Sequence, residues 1–125
     1  MELLYYIASL KHTSRKHEHI SWWGKNHAGY TPVVGDYIGT YSHSEAMELN
    51  DGEDCIAVPV AVVQSVLSPE PYHRPGARFY DQVGPVVPNA TAAWRVLIAG
   101  SNPKTTPKPR QFTGRRRSFA WKPTE

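Results

Sequence analysis

The sequence predicts an α+β fold: a small antiparallel sheet from the N-terminal strands, packed by two or three helices and followed by an extended basic C-terminal tail. Three observations lead there. An apolar, tyrosine-bearing run over residues 3–10 is answered by a second aromatic, β-branched run over 19–23, the pattern of a hairpin. An alanine-rich run over 90–99 repeats its apolar residues at helical spacing. Composition and charge then change abruptly at Gly100, which divides the 125 residues into a compact domain, 1–100, and a proline-rich basic tail, 101–125.

Residues 3–10 are too short and too rich in tyrosine for a surface helix, so they read as a buried first strand that stops at Lys11. Residues 11–19 are polar, and His19-Ile20-Ser21-Trp22-Trp23 supplies the partner strand. Asn26 and Gly29 mark a turn, and Gly35 and Gly39 bulge or break any strand over 33–41. A short helix is expected over 44–49, capped by Ser42 or Ser44, with acids in its first turn and Asn50-Asp51-Gly52 as its stop. Residues 55–67 are the most apolar stretch and are ambiguous between helix and strand. Pro59 suits the first turn of a helix and Val60, Val63, Val66 and Leu67 share one helical face, which favours a helix over 59–67, yet four valines equally suit a strand. The firmest helix spans 89–99, with Asn89 as N-cap, Gly100 as stop, and Ala90, Ala93, Trp94, Leu97 and Ile98 on the face turned to the sheet.

The tail carries seven cations against one acid, a formal charge of +6, whereas residues 1–100 carry seven cations against ten acids, −3, so the overall +3 conceals an asymmetry. A cationic tail on a mildly acidic body points to a polyanion or an acidic protein face as partner. Cys55 is the single cysteine, which excludes an intramolecular disulfide and favours a reducing, cytoplasmic setting. The N-terminus has no positive leader region and no apolar run approaches a membrane span, so neither secretion nor membrane insertion is expected.

The tail interleaves aromatic rings with charge. Arg110, Arg115, Arg116, Arg117 and Lys122 suit phosphates, and Phe112, Phe119 and Trp121 can stack on bases or fill a protein pocket. A tail serving solubility alone has no use for three large aromatics. A second constellation, Lys11, His12, Trp22, Trp23, Asn26 and Tyr30, would suit a nucleotide or another planar anion if the first strand and the following turn bring it together. Against that, Trp22 and Trp23 point to opposite faces of a strand, so at least one belongs to the core.

Other chemistry finds little support. His17 and His19 fall on one side of a strand, but no third metal ligand is identifiable. His12-Thr13-Ser14 lacks the second copy that paired-histidine acid–base chemistry requires, and no serine sits in a nucleophile elbow. Asp54 and Glu53 beside Cys55 oppose thiolate formation. No glycine-rich phosphate loop is present, so nucleotide hydrolysis is not expected. With no third ligand beside His17 and His19 no bound metal is expected, and no cofactor is expected either.

Tyr5-Tyr6-Ile7-Ala8-Ser9-Leu10-Lys11-His12-Thr13, Ile20-Ser21-Trp22-Trp23, Asn26 and Ala28-Gly29-Tyr30 together resemble a block of small proteins of tailed phages and prophages. Residues 57–63, Gly84-Pro85-Val86-Val87-Pro88-Asn89, Trp94 and Leu97 resemble that family's second half, so the likeness covers most of 4–98 and excludes the tail. No activity is attached to the family. The resemblance implies a non-enzymatic accessory protein, anti-CRISPR-like, that acts in the cytoplasm of an infected bacterium by blocking or modifying a host protein or nucleoprotein complex. A nucleotide-sized ligand on the Lys11/His12/Trp22 face, with the tail joining copies into a homo-oligomer, is the alternative expectation.

Overall fold

The computed structural model describes residues 3–11, 13, 19–35, 37–68 and 84–107. They form a four-stranded antiparallel sheet with helices on both faces, an α+β arrangement. Strands β1 (Tyr5–Ser9), β2 (Trp22–Trp23), β3 (Tyr30–Thr31) and β4 (Cys55–Pro59) lie in the order β3-β2-β1-β4. Three of them come from the first forty residues, and the fourth from the ambiguous apolar stretch.

The two-faced covering explains why the first strand is apolar throughout instead of alternating. Tyr6 and Ala8 point to one side, into a core with Trp22, Ile56, Val58, Val63, Trp94 and Leu97. Tyr5 and Ile7 point to the other, against Tyr41, Ala46, Cys55 and Ala57. Every residue of β1 is therefore buried, and each needs an apolar or satisfied side chain. Helices α2 (Val60–Gln64) and α3 (Thr91–Ser101) cover the first face, and α1 (His43–Leu49) covers the second. Between Thr31 and Tyr41 the described residues make isolated bridges, Val33 to Val86 and Gly24 to Ile38, where glycines interrupt the strand.

The stretch 55–67 is both strand and helix. β4 pairs residue for residue with β1, from Tyr5 opposite Pro59 to Ser9 opposite Cys55. Pro59 ends the strand and also serves as N-cap of α2, so no loop separates the two elements. The helix favoured over 59–67 is accordingly shorter: five residues, closed by Ser65, whose hydroxyl donates to the Val62 carbonyl at 2.6 Å. Pairing of 55–59 with β1 fixes the helix start at Val60, and the helix closes at Ser65 instead of running on to Leu67.

Helix α1 begins as its sequence requires. Glu45 N–H donates to Ser42 Oγ at 3.3 Å and Ser42 N–H donates to Glu45 Oε1 at 3.2 Å, a capping box. Ser42→Ala should lower stability by about 1 kcal/mol in chemical denaturation, because the Glu45 N–H loses the acceptor that the hydroxyl supplies.

Helix α3 corrects two assignments. Its N-cap is Ala90, without a side-chain cap, and not Asn89. Asn89 turns inward, and its Oδ1 accepts from the buried Trp94 indole N–H at 2.7 Å. A buried donor left unmade costs more than a missing cap, so the asparagine serves the core. Gly100 lies inside the last turn and does not end the helix. A Cβ there would stand 2.8 Å from a methyl of Val62, so glycine permits the close approach of α3 to α2. Asn102, in the left-handed conformation at φ 50°, ends the helix and donates its N–H to the Ile98 carbonyl at 2.8 Å.

Residues 101–107, which the sequence reading assigns to the tail, are laid against the body. Ser101 Oγ–H donates to Asn50 Oδ1 at 2.8 Å, and Asn50 Nδ2–H donates to the Ser101 carbonyl at 3.0 Å. Lys104 N–H donates to the Asn50 carbonyl and Thr105 N–H to the Asp51 carbonyl, both at 3.1 Å. Gly52, at φ +78°, lies so close to the Thr105 carbonyl that no Cβ would fit.

Candidate functional site

The sheet register separates the residues expected to share one pocket. Ala8 lies opposite Trp22, so Lys11 falls near the level of His19, while the chain beyond Trp23 leaves the sheet near the level of Tyr6. Lys11 and the turn that follows β2 are thus roughly 15 Å apart along the strands at about 3.3 Å per residue. Trp22 is wholly buried and packs edge-on against Tyr6, with ring centroids 6.0 Å apart. It is a core residue with no face for a ligand. His12 lies outside the described residues, as do Arg110, Phe112, Arg115, Arg116, Arg117, Phe119, Trp121 and Lys122.

Trp23 and Tyr30 are paired across β2 and β3, and Asn26 sits in the turn that joins them. After Trp23 the chain makes a 3-10 turn over Lys25–His27, with Asn26 at φ 55° and His27 at φ 63°. Two consecutive non-glycine residues in the left-handed region cost roughly 1–3 kcal/mol each and persist only where the surroundings over-determine them. Here the surroundings are the Tyr41 hydroxyl and two rings. Tyr41 Oη–H donates to the Gly24 carbonyl at 2.6 Å and accepts from His27 N–H at 3.1 Å, tying both ends of the turn to one buried atom. The His27 ring stands edge-on to Trp23 and Tyr41, at 5.2 and 5.1 Å. Gly24 N–H donates to the Gly29 carbonyl at 2.8 Å and closes the loop.

Residues 37–39 cross the base of this loop. Gly39 N–H donates to the Trp23 carbonyl at 3.0 Å, and a Cβ on Gly39 would meet the Gly24 carbonyl oxygen at 2.5 Å, so only glycine allows the crossing. The crossing carries Tyr37 to the loop's open side. There Lys25, Tyr30, Thr31 and Tyr37, with the small residues Gly24, Ala28 and Gly29, line an open depression of about 400 Å³. Tyr37 is 64% exposed and Tyr30 46%. Of this lining the sequence singled out Tyr30 alone. Lys25, Thr31 and Tyr37 were missed because nothing local reveals that 37–39 fold back over 24; the glycines at 24 and 39 were the available signal.

One other group, the Cys55 thiol, can be placed chemically. Burial first, then the nearby Asp51 and Asp54 carboxylates, push the Cys55 thiol up to about 12. Its hydrogen donates to the Leu49 carbonyl at 3.2 Å. The folded state thus holds this proton more tightly than the unfolded chain, so its contribution to stability is complete below about pH 9 and is lost as pH rises toward 12. Native protein at pH 8 should react with a thiol reagent only at the rate of unfolding, and full reactivity should appear in denaturant. Among the described residues no group of three His, Cys, Asp or Glu side chains could hold a metal ion, and no helix is long and apolar enough to cross a membrane.

No protein-family profile, curated protein or solved structure matches this chain.

Proposed function

We propose that this is a non-enzymatic binding protein, phage-encoded, whose basic aromatic arm engages a host nucleoprotein complex in the cytoplasm of an infected bacterium and blocks or modifies it. The observation that carries the reading is the composition of 108–125: six cations, three large aromatics and one acid in eighteen residues. Arginine forks recognise phosphates and the interleaved rings provide anchors that slow dissociation. The folded body adds a fixed origin for the arm. Four hydrogen bonds from Asn50 and Asp51 hold 101–105, so the cationic stretch starts from one place on the surface. The protonated, buried Cys55 thiol argues against thiolate catalysis at that residue. The likeness of 4–98 to small phage proteins supports the setting.

The test compares the intact chain with one ending at Pro107 as bait in a bacterial lysate, each with and without nuclease. The intact chain should retain a complex that the shortened one does not, and nuclease should reduce its recovery. Equal recovery by both baits would remove the arm from the function. The cut belongs after Pro107 because a stop after Gly100 would also remove the Ser101 contacts with Asn50 and so confound lost binding with lost stability.

A further inference from the structure

We infer that the depression beneath the 24–31 loop is a second, separate binding site, and that it takes a single nucleotide: a flat heteroaromatic base carrying a phosphate. The inference rests on the body alone and does not require the arm.

Three features select that chemistry. First, Tyr37 and Tyr30 are among the few large apolar side chains the described residues leave exposed, and both line the same depression. Stacking on a base is the interaction that such rings make without regard to base identity. Second, Lys25 is the charged side chain among the described residues of the lining, so the site favours an anion over a cationic ring compound. Third, about 400 Å³ lies toward the small end of ligand pockets, the size of a monomer and too small for a duplex, whose bases are in any case stacked inside.

The loop is also built before any ligand arrives. The Tyr41 hydroxyl fixes Gly24 and His27, the His27 ring is held against Trp23 and Tyr41, and the crossing at Gly39 fixes the chain next to Tyr37. A site whose backbone is already ordered loses little conformational freedom on binding, which is where strained, over-determined loops are found to serve.

The experiment titrates the full-length protein with AMP, adenosine and ribose 5-phosphate, following backbone amide shifts by NMR. AMP should move the resonances of 24–31 and 37. Adenosine should bind more weakly for want of the Lys25 contact, and ribose 5-phosphate should leave those resonances in place for want of a base. Tyr37→Ala should weaken AMP binding at least about fivefold and Tyr37→Phe should restore it, because stacking needs the ring and not the hydroxyl. Lys25→Glu, a change at an exposed position, should weaken AMP about tenfold or more, and it decides the matter should Tyr37→Ala fail to fold. Replacing Arg115, Arg116 and Arg117 together by alanine should leave AMP binding unchanged. No shifts at 24–31 and 37 on adding AMP, equal AMP affinity in the Lys25→Glu protein, or loss of AMP binding on changing the three arginines would each overturn the inference, while a failure of the arm to bind polyanions would not touch it.

Discussion

Replacing Arg115, Arg116 and Arg117 by alanine should weaken binding to a nucleic-acid partner by about 100- to 500-fold at 0.1 M salt and flatten its salt dependence. The magnitude follows from counterion release. Each phosphate neutralised steepens the plot of log affinity against log salt by about 0.9 on duplex DNA and about 0.7 on a single strand. Three lost contacts therefore reduce the slope by about 2 to 3, and the loss shrinks as salt rises toward 1 M. Fluorescence anisotropy with a labelled oligonucleotide across a salt series reads both quantities. If instead the partner face is an acidic protein, affinity falls without the linear salt law, and the shape of the curve separates the two. Phe119→Ala and Trp121→Ala should act differently, shortening the lifetime of the complex while leaving the slope in place, because rings release no counterions.

The largest stability effect should come from Asn50, a residue with no charge and no ring. Its Oδ1 accepts from the Ala57 N–H at 2.9 Å and from the Ser101 hydroxyl at 2.8 Å, and its Nδ2–H donates to the Ser101 carbonyl at 3.0 Å. One buried side chain thus closes the outer edge of β4, ends the segment that follows α1 and clasps the last turn of α3. Asn50→Ala strands those groups, each costing about 1–3 kcal/mol when buried without a partner, so a loss of at least about 3 kcal/mol is expected. A domain of this size has about 5–15 kcal/mol in total, and Tm should fall by more than about 10 °C. Ser101→Ala removes one partner only and should cost about 1 kcal/mol. A thermal melt of the two variants and the double mutant would show strong coupling between the positions. Equal, small shifts in both would mean that the clasp does not hold α3 to β4.

The sequence is most legible where local chemistry and tertiary demand coincide. Ser42 and Glu45 cap α1 with contacts made inside one turn, and the aromatic runs at 5–9 and 22–23 pair as a hairpin because both are apolar and short. Trp22 and Trp23 divide between the two faces, as the two-residue repeat of a strand requires. Legibility fails where a distant partner outbids the local signal. Asn89 looks like a cap until the Trp94 indole claims it, and Gly100 looks like a stop until Val62 is found against it. Residues 55–67 stay ambiguous until β1 is seen to need a second neighbour, which 55–59 supply. The depression is the same case: Lys25 and Tyr37 are twelve positions apart, and only the crossing of Gly39 over Gly24 unites them.

The most direct test of the account is the oligonucleotide affinity of the chain ending at Pro107, measured beside its thermal melt. The account predicts an unchanged melt, because 101–107 remain clasped by Asn50 and Asp51, together with loss of nearly all salt-dependent binding. A shortened chain that melts normally and still binds with the affinity and salt slope of the intact protein would contradict it, and would place the contact on the folded body.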